Sequence, residues 1–238
     1  MNIEVGRSVT YAFEDPQWAS KLIIFLIVGF VPGLNIILWG GYAISIARNI
    51  MRGEEHPLPS WTEWSDIAVR GLLSIAATLL YFSPVFVPAC VLLLGSAMLG
   101  GIGLALRCVL FMLGAVYVIA ASCLLGSGHL QFALTDQFFT YLDLGARLRD
   151  LRVERGILLP LFFYQSMLSF LLVILALVMT GLFLFALSVI ATANGILGAV
   201  VLVLLLIGLV GFLAIVTVAF LANGYFLGIA GATLLENV

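Results

Sequence analysis

Charged residues are scarce in this sequence, and their scarcity excludes most classes of soluble protein. Only 9% of the 238 residues are charged, and ten basic against twelve acidic side chains give a formal net charge of −2. A soluble domain carries about 25% charged residues, and a nucleic-acid-binding protein needs a basic surface that this composition does not supply. Hydrophobic residues make up 63% of the chain, at a mean hydropathy of +1.24. The composition therefore predicts an integral membrane protein with no nucleic-acid partner.

Residues that catalyse reactions or bind metals are equally scarce. The two histidines, His56 and His129, are expected at the edges of membrane segments, and the three cysteines lie in apolar stretches without metal or redox spacing. The sequence has no His-Glu-x-x-His motif, phosphate-binding glycine loop or serine nucleophile motif. We therefore expect no catalytic residue, no cofactor and no metal, and a protein that is not an enzyme.

The stretches between charged residues outline the membrane-spanning helices, because an ionised group inside lipid is costly. The uncharged stretches are Lys21 to Arg48 (26 residues), Arg70 to Arg107 (36), Arg107 to Asp136 (28) and Arg155 to Glu236 (80). A spanning helix needs roughly 20 apolar residues. The predicted fold is an all-α, polytopic transmembrane bundle in one domain, with four full spans arranged as helical hairpins over residues 72–126 and 157–235.

The first apolar segment, residues 22–47, is interrupted by Val31-Pro32-Gly33-Leu34-Asn35. It forms either one kinked span or a re-entrant hairpin. The re-entrant hairpin places nine of the ten basic residues on one side of the membrane, whereas a kinked span divides them seven against three. The hairpin is favoured, and both versions place the loops 48–70 and 127–156 in the cytoplasm of a multi-pass protein of the cell membrane.

Two segments are predicted to lie in the membrane interface as amphipathic helices. The first is the N-terminal segment 1–20, and the second is residues 134–155. Apolar side chains of the second recur at three- and four-residue steps, at Leu134, Phe138, Tyr141, Leu144, Leu148 and Leu151. On its polar side we expect an ion pair between Asp143 and Arg147, with Arg149 and Arg152 directed toward anionic headgroups or a partner's acidic surface.

The connector over residues 48–70 has the residues of a rigid link. Gly53 can adopt the left-handed conformation that ends a helix, and Ser60 or Thr62 can cap the helix that follows. Trp61 and Trp64 are expected to anchor this segment at the headgroups.

Several short motifs along the chain resemble one known family. They are Phe13-x-Asp15-Pro16-x-Trp18, Pro32-Gly33-x-Asn35, Gly41-Tyr42, Arg48-Asn49, Arg52-Gly53, Leu58-Pro59-x-Trp61, the stretch from Asp66 to Gly71, and Asp143-Leu144-Gly145. Together they resemble the uncharacterised membrane family catalogued as domain-of-unknown-function 4013, with the stretch from Arg48 to Trp61 the most specific part. The resemblance covers most of the chain and implies a polytopic protein of an archaeal or bacterial membrane. It implies no activity, ligand or catalytic residue.

Four polar residues inside the apolar segments are candidates for a role. Asn35 either lines the tip of a re-entrant hairpin, where it would meet a solute, or caps the second half-helix. Arg107 either reaches the outer headgroups or grips a substrate. Gln165 and Asn223 are expected to make interhelical hydrogen bonds.

Three functional classes are compatible with these features. The first is a non-catalytic scaffold or subunit of a membrane complex, in contact with the bilayer, a membrane protein partner or a second copy of itself. Its predicted contact residues are Trp61, Trp64, Tyr141, Leu144, Leu148, Arg149 and Arg152. The alternative is a small-solute channel or transporter, as a single copy or as an oligomer, with Asn35 and Arg107 lining the path. A lipid-modifying enzyme is the least favoured, because acid–base residues are few.

Overall fold

The computed structural model describes residues 6–95, 100–192 and 195–236, and these residues form helices and no strand. The α-helices are α1 (Arg7–Thr10), α2 (Trp18–Gly29), α3 (Leu34–Met51), α4 (Trp64–Gly95), α5 (Gly100–Thr135), α6 (Leu144–Val153), α7 (Arg155–Thr192) and α8 (Gly195–Glu236). Short 3₁₀ turns cover Tyr11–Glu14, Trp61–Glu63 and Phe138–Tyr141. The predicted all-α fold class is confirmed.

Within the described residues, four helical stretches are long and apolar enough to cross a membrane. They are Trp61–Phe86, Met112–Thr135, Arg155–Ser188 and Gly198–Leu235. The protein is therefore a membrane protein with four candidate spans, carried by the pairs α4–α5 and α7–α8. The predicted corners between the paired helices include residues 96–99 and 193–194, which lie outside the described residues.

Helices α2 and α3 form a hairpin. The rings of Phe25 and Trp39 stack with their centroids 5.4 Å apart, and Trp39 Nε1 donates a hydrogen bond to the Phe25 carbonyl at 3.1 Å. At the beginning of α2, Lys21 Nζ donates to the carbonyl of Leu58 in the loop between α3 and α4, six residues before α4 begins. The chain therefore reverses direction between the two helices, and the start of α2 lies beside the loop that follows α3.

Residues near the ends of α3, α4 and α5 meet at this end of the bundle as well. Asp136, which directly follows α5, pairs with Arg48 near the end of α3 and with Arg70 in α4, where Arg70 Nε lies 3.1 Å from Asp136 Oδ1. We call this end of the bundle, which carries residues 52–63 and 136–143, the connector end.

Helix α3 lies at the centre of the bundle, and glycines bring its neighbours close. A Cβ atom on Gly41 would collide with the backbone of Ile67 in α4, and one on Gly71 would collide with the backbone of α3. On the opposite side, a Cβ on Gly224 of α8 would lie 2.7 Å from the carbonyl oxygen of Ala43. Small residues allow membrane helices to approach in this way. Helix α3 is therefore fixed between α4 and α8 by backbone contact.

The connector between α3 and α4 has the predicted rigid form. Gly53 has φ +71°, the left-handed conformation expected after a helix end. Ser60 Oγ accepts a hydrogen bond from the backbone N–H of Thr62 at 3.3 Å, which confirms the capping prediction. Asn49 Nδ2 donates to the carbonyl of Pro57 at 3.0 Å. The connector is therefore held against the end of α3.

The continuous helix predicted over residues 134–155 is not formed. Helix α5 ends at Thr135, Asp136 has φ +55°, and α6 begins only after an intervening 3₁₀ turn. The predicted ion pair between Asp143 and Arg147 is also wrong. Asp143 Oδ1 instead caps α6 by accepting from the N–H of Ala146 at 2.9 Å, and Arg147 is buried and pairs with Asp150 at 3.0 Å.

The N-terminal segment also differs from the single interfacial helix predicted over residues 1–20. Within the described residues it consists of α1, a 3₁₀ turn and the first residues of α2. Tyr11 is buried, and its hydroxyl donates to the carbonyl of Leu221 in α8 at 3.0 Å. This segment therefore packs on the bundle.

Candidate functional site

A cavity of about 480 Å³, open to the surface of the bundle, lies where α5, α7 and α8 face one another, with one side chain from α4 at its margin. Its walls combine leucine, phenylalanine and alanine side chains with a group of polar ones. The polar lining residues are Ser122, His129, Gln165, Ser166, Ser169 and Asn223. The volume is in the range of small-molecule sites, and a mostly apolar wall with a few polar groups is typical of them.

Helical periodicity explains why the polar side chains converge. Ser122, Gly126 and His129 are four and three residues apart, so they share one face of α5. Gln165 and Ser169 share one face of α7 in the same way. Gly126 lies opposite Gln165, where a Cβ atom would make ordinary van der Waals contact with Gln165 Oε1 at 3.4 Å. Sequence reasoning did not assign this set to one site, although the spacing on each helix was a usable signal.

The predicted interhelical hydrogen bonds of Gln165 and Asn223 are made with each other. Gln165 Nε2 on α7 donates to Asn223 Oδ1 on α8 at 2.9 Å. The bond leaves the Gln165 carbonyl oxygen as an acceptor and the Asn223 amide group as a donor. The pair therefore both ties α7 to α8 and offers a donor and an acceptor at the cavity wall.

His129 lies inside the bundle, which corrects its predicted position at a solvated edge. Its Nε2 atom shares a hydrogen bond with the Ser74 hydroxyl of α4 at 2.9 Å, and its ring meets the Tyr141 ring edge-on at 5.5 Å. The predicted cytoplasmic loop 127–156 accordingly begins inside α5, which continues to Thr135.

The chemistry of the site follows from its lining. Among the described lining residues none is Asp, Glu, Lys or Arg, so hydroxyl, amide and imidazole groups supply the polarity. Such a set suits a neutral molecule that both donates and accepts hydrogen bonds. In the part of the chain that the structure describes, no three His, Cys, Asp or Glu residues are grouped so as to hold a metal ion.

Comparison with known families identifies the chain at the family level. The model of the family described as "Protein of unknown function (DUF4013)" matches residues 22–180, which is more than half of the chain. The chain belongs to the DUF4013 family. The comparisons with curated proteins and with solved structures give no significant match. In this DUF4013 protein the match includes the α5 and α7 walls of the cavity, whereas Asn223 on α8 lies beyond it.

Of the two predicted solute-lining residues of this DUF4013 chain, Asn35 is not among the residues that line the cavity. Asn35 lies at the turn of the α2–α3 hairpin, where its Nδ2 donates to the Gly29 carbonyl at 3.3 Å and its Oδ1 accepts from the N–H of Ile36 at 2.8 Å. Asn35 thus satisfies a carbonyl at the end of α2 that would lack a helical partner. Arg107 lies on α5, and its side chain is outside the part of the chain that the structure describes.

The predicted partner-contact residues divide into two groups. Tyr141 is 0% exposed, and Trp61 stacks on Tyr42 at 5.0 Å and donates from Nε1 to the Lys21 carbonyl at 2.9 Å. Tyr141 is enclosed by the fold, so its assignment to an outer contact surface is wrong, whereas Trp61 is half-buried and its assignment stays a prediction. The remaining residues are exposed, and they are Trp64, Leu144, Leu148, Arg149 and Arg152.

Proposed function

We propose that the protein binds a neutral, hydrogen-bonding small molecule inside the membrane and acts as a carrier or transporter for it. The observation that carries this proposal is the convergence of six polar side chains on one cavity, in a chain with only 9% charged residues. Polar side chains within membrane-spanning helices are costly, and they commonly mark the path of a substrate.

The lining favours an amphipathic or small uncharged ligand. The side-chain oxygen of Gln165 accepts a hydrogen bond from a ligand hydroxyl or amide, and the Asn223 amide group donates one to a ligand oxygen. Hydroxyl groups of Ser166 and Ser169 supply further contacts along α7. The apolar remainder of the wall accommodates a hydrocarbon portion.

A transport assay tests this proposal. The protein is reconstituted into liposomes, and the entry of a panel of neutral solutes is followed by light scattering. Gln165→Leu and Asn223→Leu are each expected to reduce entry of the transported solute about tenfold, because each removes a hydrogen-bonding group from the site. Thr180→Val is the matched control, since Thr180 lies on α7 outside the cavity lining. Entry rates equal to those of empty liposomes for the whole panel would contradict the proposal.

We further propose that the protein is a multi-pass protein of the cell membrane with its connector end in the cytoplasm. In this topology the α2–α3 hairpin enters the membrane from the cytoplasm and returns to it. The distribution of basic residues supports this orientation, because it leaves only Arg107 on the outer side. Single cysteines introduced as Asn2→Cys and Glu55→Cys into a cysteine-free variant should react with an impermeant maleimide from the same side. Labelling from opposite sides would exclude a re-entrant hairpin.

A scaffold role is the second candidate, and the exposed surface of α6 favours it. Leu144 and Leu148 are 50% and 57% exposed, beside the exposed guanidinium groups of Arg149 and Arg152. If this surface binds a partner, Leu144→Asp combined with Leu148→Asp should release a stoichiometric subunit seen by native mass spectrometry from lipid nanodiscs. An unchanged subunit composition in the double variant argues against the scaffold role.

A further inference from the structure

A second pocket lies at the connector end, apart from the membrane cavity, and basic side chains dominate its lining. Its volume is about 370 Å³, and it lies between α3, α4, the start of α2 and the connector. The basic lining residues are Lys21, Arg48, Arg52 and Arg70. Two acidic side chains, Glu54 and Glu63, also line it, and both are exposed at its margin.

The wall of this pocket is preformed. The connector backbone is held at Leu58 by Lys21 Nζ at 2.7 Å and at Pro59 by the Tyr42 hydroxyl at 3.3 Å. In the connector, Trp61 Nε1 donates a hydrogen bond to the backbone carbonyl of Lys21. These bonds join the connector to α2 and α3, so ligand binding costs the connector little conformational entropy.

Among the residues that line the pocket, basic side chains outnumber acidic ones four to two. Arg48 and Arg70 share the single carboxylate of Asp136, and Arg52 forms no ion pair with any residue that the structure describes. Lys21 is paired with Asp15 at 2.7 Å. The shared carboxylate therefore leaves two guanidinium groups with only one negative partner.

Arg48 has unused hydrogen-bonding capacity in this pocket. Its Nε atom is buried and has no hydrogen-bond partner among the described residues. Burial and the guanidinium groups of Arg70 and Arg52 lower the pKa of Arg48, although the carboxylates of Asp66 and Glu54 act in the opposite direction. A guanidinium group in this position is stabilised by an added anion with several acceptor oxygens.

We infer that this pocket binds the phosphate group of an anionic membrane lipid. A phosphate ester offers the oxygens that the guanidinium groups of Arg48 and Arg52 can contact, and basic pockets between membrane helices bind such headgroups. The apolar side chains of Ile23, Ile24 and Ile27 on α2 are exposed immediately beyond Lys21, so the acyl chains have a surface to follow. The site does not depend on the proposed transport function.

Native mass spectrometry of the full chain in nanodiscs of equal parts phosphatidylglycerol and phosphatidylcholine tests the inference. The variants are Arg52→Gln and the pair Arg48→Gln/Arg52→Gln. The matched control is Arg7→Gln/Arg155→Gln, which removes the same charge from exposed positions of α1 and α7. We expect the native protein to retain phosphatidylglycerol preferentially, and each pocket arginine removed to weaken retention about fivefold. The control should retain the lipid as the native protein does.

A thermal-stability measurement with inorganic phosphate distinguishes a lipid phosphate group from a free phosphate ion as the ligand of this pocket. If phosphate raises the melting temperature of the native protein but not of the Arg48→Gln/Arg52→Gln variant, and no lipid preference is found, the pocket binds a free phosphate and the lipid assignment is overturned. Equal phosphatidylglycerol retention by all variants, or equal loss in the control, also overturns it. Arg52 makes no ion pair in the described chain, so Arg52→Gln decides the question if the double variant does not fold.

Discussion

Helix α7 passes through two different environments. Near its start, Leu161 is 1% exposed and lies in the packed half of the molecule, whereas Leu184 on the same helix is 60% exposed. Helix α8 shows the same change in the opposite direction, from the exposed Ile207 to the buried Ala230. The bundle therefore has an inner half, near the connector end, in which protein packs on protein, and an outer half in which α7 and α8 are left for lipid to cover.

The interactions that specify the fold lie in the inner half of the bundle. Lipid is as apolar as leucine, so exposed leucines in the outer half provide no drive for helices to associate. The inner half contains the interactions that can do so, namely the glycine contacts of α3, the ring cluster around Phe25 and the hydrogen bond between Gln165 and Asn223. Substitutions should consequently have large effects in the inner half and small effects in the outer half.

The largest effect is expected for Gly41→Val. The added side chain would collide with the α4 backbone at Ile67, which cannot move without separating α3 from α4. We expect the free energy of unfolding to fall by about 3 kcal/mol, measured by circular dichroism during titration with a denaturing detergent. Gly40→Val is the control, because a Cβ at Gly40 meets no atom within 4 Å. Equal losses for the two variants would show that α3 is not fixed by close contact.

The comparison within α7 is tested by one substitution at two positions. Leu161→Ala should lower the free energy of unfolding by about 2 to 3 kcal/mol, because it leaves a cavity among packed side chains. Leu184→Ala should change it by less than about 0.5 kcal/mol. Both values can be read from thermal unfolding in the same micelles. A loss at Leu184 as large as that at Leu161 would mean that protein, not lipid, covers the outer half, as in an oligomer.

Asp136→Asn should have an intermediate effect. The change leaves Arg48 and Arg70 facing each other without their shared carboxylate, while asparagine tolerates the left-handed backbone of this position. Because Asp136 is partly exposed, we expect a loss of about 1 to 2 kcal/mol. The exposed carboxylate of Glu55 in the connector supplies the control, Glu55→Gln. If chemical denaturation finds the two variants equally stable, the connector end is not held by this ion pair.

Within the inner half, the smallest effect is expected for the link between α7 and α8. A double-mutant cycle of Gln165→Leu and Asn223→Leu should give a coupling energy of about 0.6 kcal/mol, typical of a hydrogen bond between membrane helices. Such a small structural contribution would leave ligand binding as the main reason for these two polar groups. A coupling energy near zero would show that the bond between Gln165 and Asn223 is not formed in the bilayer.

The spans could be predicted because lipid constrains the sequence in a simple way. Charges are excluded from the hydrocarbon, so the long uncharged stretch between Arg155 and Glu236 predicts membrane-spanning helices. Helices α7 and α8 lie in that stretch. The single helix predicted over residues 134–155 was wrong because the structure there depends on contacts between distant parts of the chain. The left-handed conformation of Asp136 and the burial of Arg147 beside Asp150 result from such contacts, and the spacing of apolar residues along the sequence does not reveal them.

The cavity was harder to predict than the fold. Gln165 and Asn223 were each expected to make interhelical bonds, but their meeting depends on how α7 and α8 are rotated about their axes. His129 was placed at an edge because it comes seven residues before Asp136, yet α5 continues almost to that residue and holds the imidazole inside. The rotation of a membrane helix is fixed by its neighbours, so a single sequence leaves it open.

The gathering of the charged connectors at one end of the bundle has a consequence for biosynthesis. In the proposed topology, the pairs α4–α5 and α7–α8 each enter the bilayer as a hairpin, and the α2–α3 pair enters without crossing. Arg107 is then the one basic residue that has to be carried through the hydrocarbon. A translocation machinery handling this chain would therefore move two short uncharged turns and a single guanidinium group, and every other charged segment would stay on the side where it was made.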